Sequence, residues 1–244
     1  LEKRIRAMEI YKKLLVKGTE IFLSPKEEYT ASEIVFGVYV NNGIKVQKMY
    51  AINSNTYRGF HRMDTALPGP KEIIYDYIGS HLPEMIKALK SMTSKEDLDY
   101  FAMIITEDLR DQLSANVMSH MLGSFNKVRK PVDLLLEHLV AMSSELSTCR
   151  KALVPLLNIP LDSHLFKSDV IFDEGARKEL GITKRMSFQH IRSESQYQEI
   201  QTYLEEKAQD LSAVFGKDFY PIYFDLIWND RYERGGKNLF ETNP

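Results

Sequence analysis

Asn126-Lys127-Val128-Arg129-Lys130-Pro131-Val132-Asp133-Leu134-Leu135-Leu136 is the stretch on which the reading of this chain turns. Three cations fall in four positions, directly before an apolar run. Pro131 suits the first turn of a helix, where its missing N–H costs nothing. A helix is therefore predicted over 131–144, with Lys130 at its entrance. Helix N-termini carry partial positive charge. A lysine there is badly placed for helix stability but stands beside an anion-binding site. The simpler reading of the segment on its own is a solvated basic turn.

On either side the pattern is mostly helical. Periodic apolar spacing predicts helices over 71–79, 82–92, 95–105 and 107–122 before it, and over 145–157, 163–180, 194–215 and 221–231 after it, punctuated by Pro155, Pro160 and Pro221. Residues 1–22 read as an amphipathic helix, with Ile5, Met8, Ile10, Tyr11, Leu14 and Leu15 on one face and Gly18 loosening its end. Residues 33–52 change character. Ile34-Val35-Phe36 and Val38-Tyr39-Val40 are β-branched and aromatic, and Asn41-Asn42-Gly43 then leads into Ile44, Val46, Met49, Tyr50 and Ile52, the signal of a β-hairpin. Residues 53–69 read as loop. The expected organisation is an N-terminal helix plus hairpin element over 1–70, a helical domain over 71–234 and a tail over 235–244.

Composition limits the function classes. A chain of 244 residues can bury a core without a disulfide or metal staple. The formal charge of −2 excludes a uniformly basic nucleic-acid coat but allows a local basic face. One cysteine, Cys149, excludes an internal disulfide and a cysteine-rich zinc site. No apolar run approaches the ~18 residues of a membrane span, and Leu1-Glu2-Lys3-Arg4 lacks the apolar segment of a signal peptide. A cytoplasmic monomer that touches no membrane is expected, nucleoid-associated if the source is prokaryotic. The six histidines show no H-E-x-x-H spacing, and neither a P-loop nor a G-x-G-x-x-G follows a strand. No metal and no cofactor are expected.

Two further segments stand out. In Ile159-Pro160-Leu161-Asp162-Ser163-His164-Leu165-Phe166, Asp162 or Ser163 is a candidate N-cap; on its own this is a capping acid and a surface histidine. Phe219-Tyr220-Pro221-Ile222-Tyr223-Phe224-Asp225-Leu226-Ile227-Trp228 is dense in aromatic rings, with one acid and the only tryptophan. It reads either as a core helix or as a stacking pocket with a carboxylate for a planar heterocycle.

Together these segments resemble the helix-hairpin-helix DNA glycosylase superfamily. Lys130-Pro131-Val132-Asp133 is similar to its K-x-x-D opening a helix, Pro160-Leu161-Asp162-Ser163-His164 to its P-x-D-x-H, and Pro221 to Asp225 with Trp228 to the C-terminal base-pocket segment of its archaeal 8-oxoguanine branch. The Gly-x-Gly usual in the hairpin is Lys127-Val128-Arg129 here. The resemblance covers roughly residues 110–231. It implies a mostly α fold, a helix-hairpin-helix glycosylase-like domain with the small β-hairpin element appended, acting on DNA that carries a damaged or modified base. Oxidised guanine is the nearest analogy, and a modified pyrimidine in foreign DNA, as in phage defence, is a second.

The resemblance places Lys130 as the amine that attacks C1′ and Asp162 as the carboxylate that stabilises positive charge on the sugar. A lysine must lose its proton to attack; partial burial with Lys127 and Arg129 alongside favours that, and Asp162 opposes it but can accept the proton. Asp225, Trp228 and Tyr223 are the expected base contacts. Lys127, Arg129, His164, Lys184 and Arg185 are the expected phosphate contacts. Shared chemistry at one sugar requires the ends of Lys130 and Asp162 to lie within about 10 Å. The alternative is a non-catalytic helical module for DNA or protein binding on the same scaffold.

Overall fold

A computed structural model describes residues 2–41, 46–52, 54–231 and 233. The chain is mostly helical, with one small two-stranded antiparallel sheet. Helix α1 (Glu2–Gly18) runs on into a π-helical turn, Thr19–Leu23. Gly18 is required there by close approach: a Cβ would meet the Tyr223 ring at 2.3 Å. Helix α2 (Ala31–Phe36) corrects the expectation of extended chain at Ile34-Val35-Phe36. The Thr30 hydroxyl accepts from the Glu33 N–H and the Glu33 carboxylate accepts from the Thr30 N–H, at 3.2 and 2.8 Å. This capping box starts a helix against local β-propensity. Strands β1 (Val38–Asn41) and β2 (Val46–Met49) then pair with Val38 opposite Met49 and Asn41 opposite Val46. The expected Asn-Gly turn lies largely outside the described residues, as does the tail over 235–244.

The remaining helices differ from the sequence pattern mainly at their ends. The two helices expected over 71–79 and 82–92 are one, α3 (Pro70–Ser91), which carries Pro83 inside it. Proline clashes with the carbonyl four residues back and removes one hydrogen bond; Pro83 stands on the exposed side, and the helix continues through it. Residues 95–122 give α4 (Lys95–Ser114), capped by Ser94, whose hydroxyl accepts from the Asp97 N–H. Helix α5 (Phe125–Met142) starts six residues before the expected position. The N–H groups of Phe125 and Asn126, orphans at any helix start, donate to the carbonyls of Arg192 and Ile191, both at 3.1 Å. Lys127 to Lys130 is therefore helix, not a turn, and Pro131 sits in the helix interior.

The segment 145–157 breaks into short turns around α6 (Arg150–Leu153). The expected helix 163–180 is two, α7 (Ser163–Lys167) and α8 (Glu174–Glu179), the second restarted by the Asp173 cap. Helix α9 (Glu194–Phe215) follows the predicted bounds, capped by Ser193 and stopped by Gly216 in the left-handed region. Residues Pro221–Asp230 form a 3₁₀ helix. Helix α5 is the central element, packed against α2, α4, α6 and α9, and a single buried cluster runs from Tyr11 to Leu226. Among the described residues no helix is long and apolar enough to cross a membrane.

Candidate active site

Every residue of α5 is buried except Lys130 and Leu134. These two positions, four apart and so on one face, open onto a cavity of about 430 Å³, and His138 continues the same face. Lys130 Nζ lies 3.2 Å from Asp162 Oδ2, and both side chains are only 13% exposed. Asp162 is the N-cap of α7. Its Oδ1 accepts from the N–H groups of His164 and Leu165 at 2.8 and 3.0 Å, which leaves Oδ2 aimed at the lysine. Burial pushes the Asp162 carboxyl up, but the Lys130 ammonium, the Leu165 N–H and His164 outweigh it and hold the group below the usual aspartate range. The Lys130 ammonium also stands 5.3 Å from the centre of the Phe188 ring.

The 3₁₀ helix supplies a further part of the lining. At three residues per turn, positions three apart eclipse, so Asp225, Trp228 and Arg231 form one column, and all three line the cavity. Arg231 donates to Asp225 Oδ2 at 2.9 Å, and its guanidinium stands 4.5 Å from the Trp228 ring centre. His164 meets Trp228 edge-on at 5.0 Å. Beneath Asp225 lies Glu137, which is fully buried. Burial raises both carboxyls and Arg231 pulls both down; Asp225 raises Glu137 further, whereas the hydrogen bond with Glu137 lowers Asp225, so a proton held by the pair sits on Glu137. Burial holds the His138 imidazole neutral, its pKa lowered to about 3 against the help of the Leu134 carbonyl, 2.7 Å from Nδ1.

The structure thus brings Lys130, Asp162, His164, Asp225 and Trp228 to one cavity and leaves five expected residues off it. Tyr223 is fully buried on the far side of the 3₁₀ helix, stacked on Phe22 at 5.9 Å. Arg129 is wholly buried and paired with Asp133 at 2.7 Å, with the Tyr197 hydroxyl donating to the same carboxylate. Lys127 is buried, its ammonium 5.2 Å from the Phe60 ring centre, and burial lowers its pKa. Neither lines the cavity, so the charge facing Lys130 is Asp162 rather than neighbouring cations. Lys184 pairs at the surface with Asp169 at 2.5 Å, and Arg185 is exposed away from the cavity.

Glu137, His138, Arg231 and Phe188 were missed. The periodicity of α5 carries a signal for the first two, because positions 130, 134 and 138 recur every four residues and 137 adjoins them. Nothing local marks Phe188. No family model, curated protein or solved structure matches the chain.

Proposed function

We propose that the protein is a DNA N-glycosylase with lyase activity, excising a damaged or modified base that has been turned out of the duplex. The observation that carries this reading is the Lys130–Asp162 pair, nearly dry and opening on a cavity that an indole and a second carboxyl group also line. A deoxynucleotide turned into the cavity would present C1′ to Lys130 and its base to Trp228 and Asp225. Asp162 accepts the ammonium proton, and the free amine attacks C1′. The C1′–N bond breaks, and the base departs with the bonding electrons and takes up the proton that Asp162 had accepted. Opening of the sugar ring gives a Schiff base on Lys130. Loss of a C2′ proton then expels the 3′ phosphate and nicks the strand. Asp162, returned to carboxylate when the leaving base takes its proton, stabilises the positive charge of the ring-opened iminium, and its cap bonds keep it from turning away.

The substrate class is a modified purine such as oxidised guanine, or a modified pyrimidine. Borohydride reduction during reaction with duplex DNA carrying such bases, or an abasic site, should fix the protein covalently to the strand. Lys130→Gln should abolish this trapping while DNA binding persists. No trapping by the wild type on any of these duplexes, with binding intact, would make the protein a non-catalytic binding module. Equal trapping by Lys130→Gln would move the chemistry to another amine.

A further inference from the structure

The N-terminal element builds a wall of the same cavity. Lys48, Tyr50, Ile52 and Asn55, from β2 and the chain after it, line it together with Lys71 in the first turn of α3. The charged residues that this wall contributes, Lys48 and Lys71, are both cationic. Residues 34–63 contain no Asp or Glu at all, although the average acid content of the chain would place about four there, and they contain Lys45, Lys48, Arg58 and Arg62. A chain of net charge −2 thus has an acid-free, basic stretch here, and its Lys48 stands on the cavity wall.

The cations around the cavity fall into two kinds. Lys130 and Arg231 are each held by a carboxylate. Lys48 and Lys71 are exposed, and among the described residues no carboxylate pairs with either. Both instead flank one ring, Tyr50, with ammonium groups 5.6 and 5.0 Å from its centre. Lys48 also reaches Tyr39 at 5.3 Å, and Lys71 reaches Tyr75 at 5.3 Å. Cation–aromatic contacts at exposed sites are weak and leave the ammonium protons available to an anion. The nearest acid in sequence, Glu72, is turned back onto the Gly69 N–H at 3.3 Å. The N-terminal end of α3, a 22-residue helix, adds its partial positive charge beside Lys71.

We propose that Lys48 and Lys71, spaced by Tyr50, are a backbone-phosphate clamp that holds the DNA strand along the cavity wall built by β2 and the start of α3. This inference rests on the glycosylase reading for its ligand. It gives residues 1–70 a role in substrate binding and replaces Lys127 and Arg129, whose buried side chains cannot reach a phosphate.

The probe is a duplex with a tetrahydrofuran abasic analogue, which binds and cannot be cleaved. Its affinity is measured across a series of NaCl concentrations. Each phosphate contact contributes about 0.9 to the slope of log K against log salt. The full-length Lys48→Gln, Lys71→Gln double variant should lose about 1–2 from that slope and bind at least severalfold more weakly at low salt. The Lys48→Arg, Lys71→Arg variant should restore both. Lys87→Gln with Lys90→Gln, which removes the same charge from exposed positions of α3 off the cavity, should leave the slope unchanged. A wild-type slope in the Lys48, Lys71 double variant, or an equal loss in the Lys87, Lys90 control, would overturn the clamp. Wild-type binding without borohydride trapping would defeat the glycosylase chemistry alone, and the slopes would still decide the clamp; failure of the wild type to bind DNA would defeat both.

Discussion

Asp162 divides its work between two oxygens: one closes the start of α7 and the other faces Lys130. The two local motifs therefore already imply the meeting of these residues, because a capping aspartate is fixed in direction and Lys130 rides the one solvent-open stripe of α5. Arg129 and Asp133 stand four apart on one face of α5, so their pairing was legible; the inward turn of Lys127 and the burial of that pair were not, because they depend on Phe60 and Tyr197, which are distant in sequence. His138 is a further residue whose behaviour follows from burial. Its folded pKa is about 3, while an unfolded histidine titrates near 6.5. Between those values the unfolded chain binds one more proton, so this residue removes stability as pH falls, by up to about 1.4 kcal/mol per pH unit. Glu137 and Asp225, raised by burial, act in the opposite sense in both proteins being compared. Denaturant unfolding at pH 7, 6 and 5 should show His138→Gln gaining on the wild type as pH falls. A difference independent of pH would mean that the imidazole is not held neutral.

At the scale of elements, the sequence pattern located helices better than it located their ends. The period of apolar residues is local, whereas the start of α5 is set by carbonyls at 191 and 192, far along the chain. The helix at 31–36 was readable in principle from Thr30 and Glu33, and its β-branched residues hid it. The segment after Pro221 shows what the kind of helix decides. In an α-helix residues three apart drift around the axis; in the observed 3₁₀ helix they stack, which aligns Asp225, Trp228 and Arg231 over the cavity and turns Tyr223 into the core. Asp225→Asn keeps the shape of this column and changes its hydrogen bonding and charge. A carboxyl group that pairs with one base should be missed most by that base. Excision of a panel of modified purines and pyrimidines should therefore fall unevenly, by tenfold or more for the preferred base and less for those lacking the matching donor. Uniform loss across the panel would place Asp225 outside base recognition.

At the scale of the whole molecule, one of the contacts that tie the N-terminal segment to the cavity's 3₁₀ helix tolerates no side chain. Gly18 touches the Tyr223 ring, Tyr223 is stacked on Phe22 and meets Phe219 at 5.4 Å, and the same 3₁₀ helix carries Trp228 on its other side. Gly18→Ala has two opposed effects. Alanine favours the helix by about 0.8–1 kcal/mol, while forcing a methyl group into a ring held on both faces costs about 1–3 kcal/mol. The clash should win, because a Cβ at 2.3 Å from a fully buried ring requires a shift of Tyr223 itself. With the clash at about 2–3 kcal/mol, the net loss of about 1–2 kcal/mol corresponds to a fall in Tm of roughly 2–8 °C for a chain of this size. Trp228 is the only tryptophan, so its fluorescence reports the cavity while far-ultraviolet circular dichroism reports all the helices. With one continuous core, both probes should give the same midpoint in the wild type and move together in Gly18→Ala. A helical transition that splits while the Trp228 midpoint stays fixed would show that residues 1–70 unfold separately, and the cavity would then keep its Trp228 wall without them.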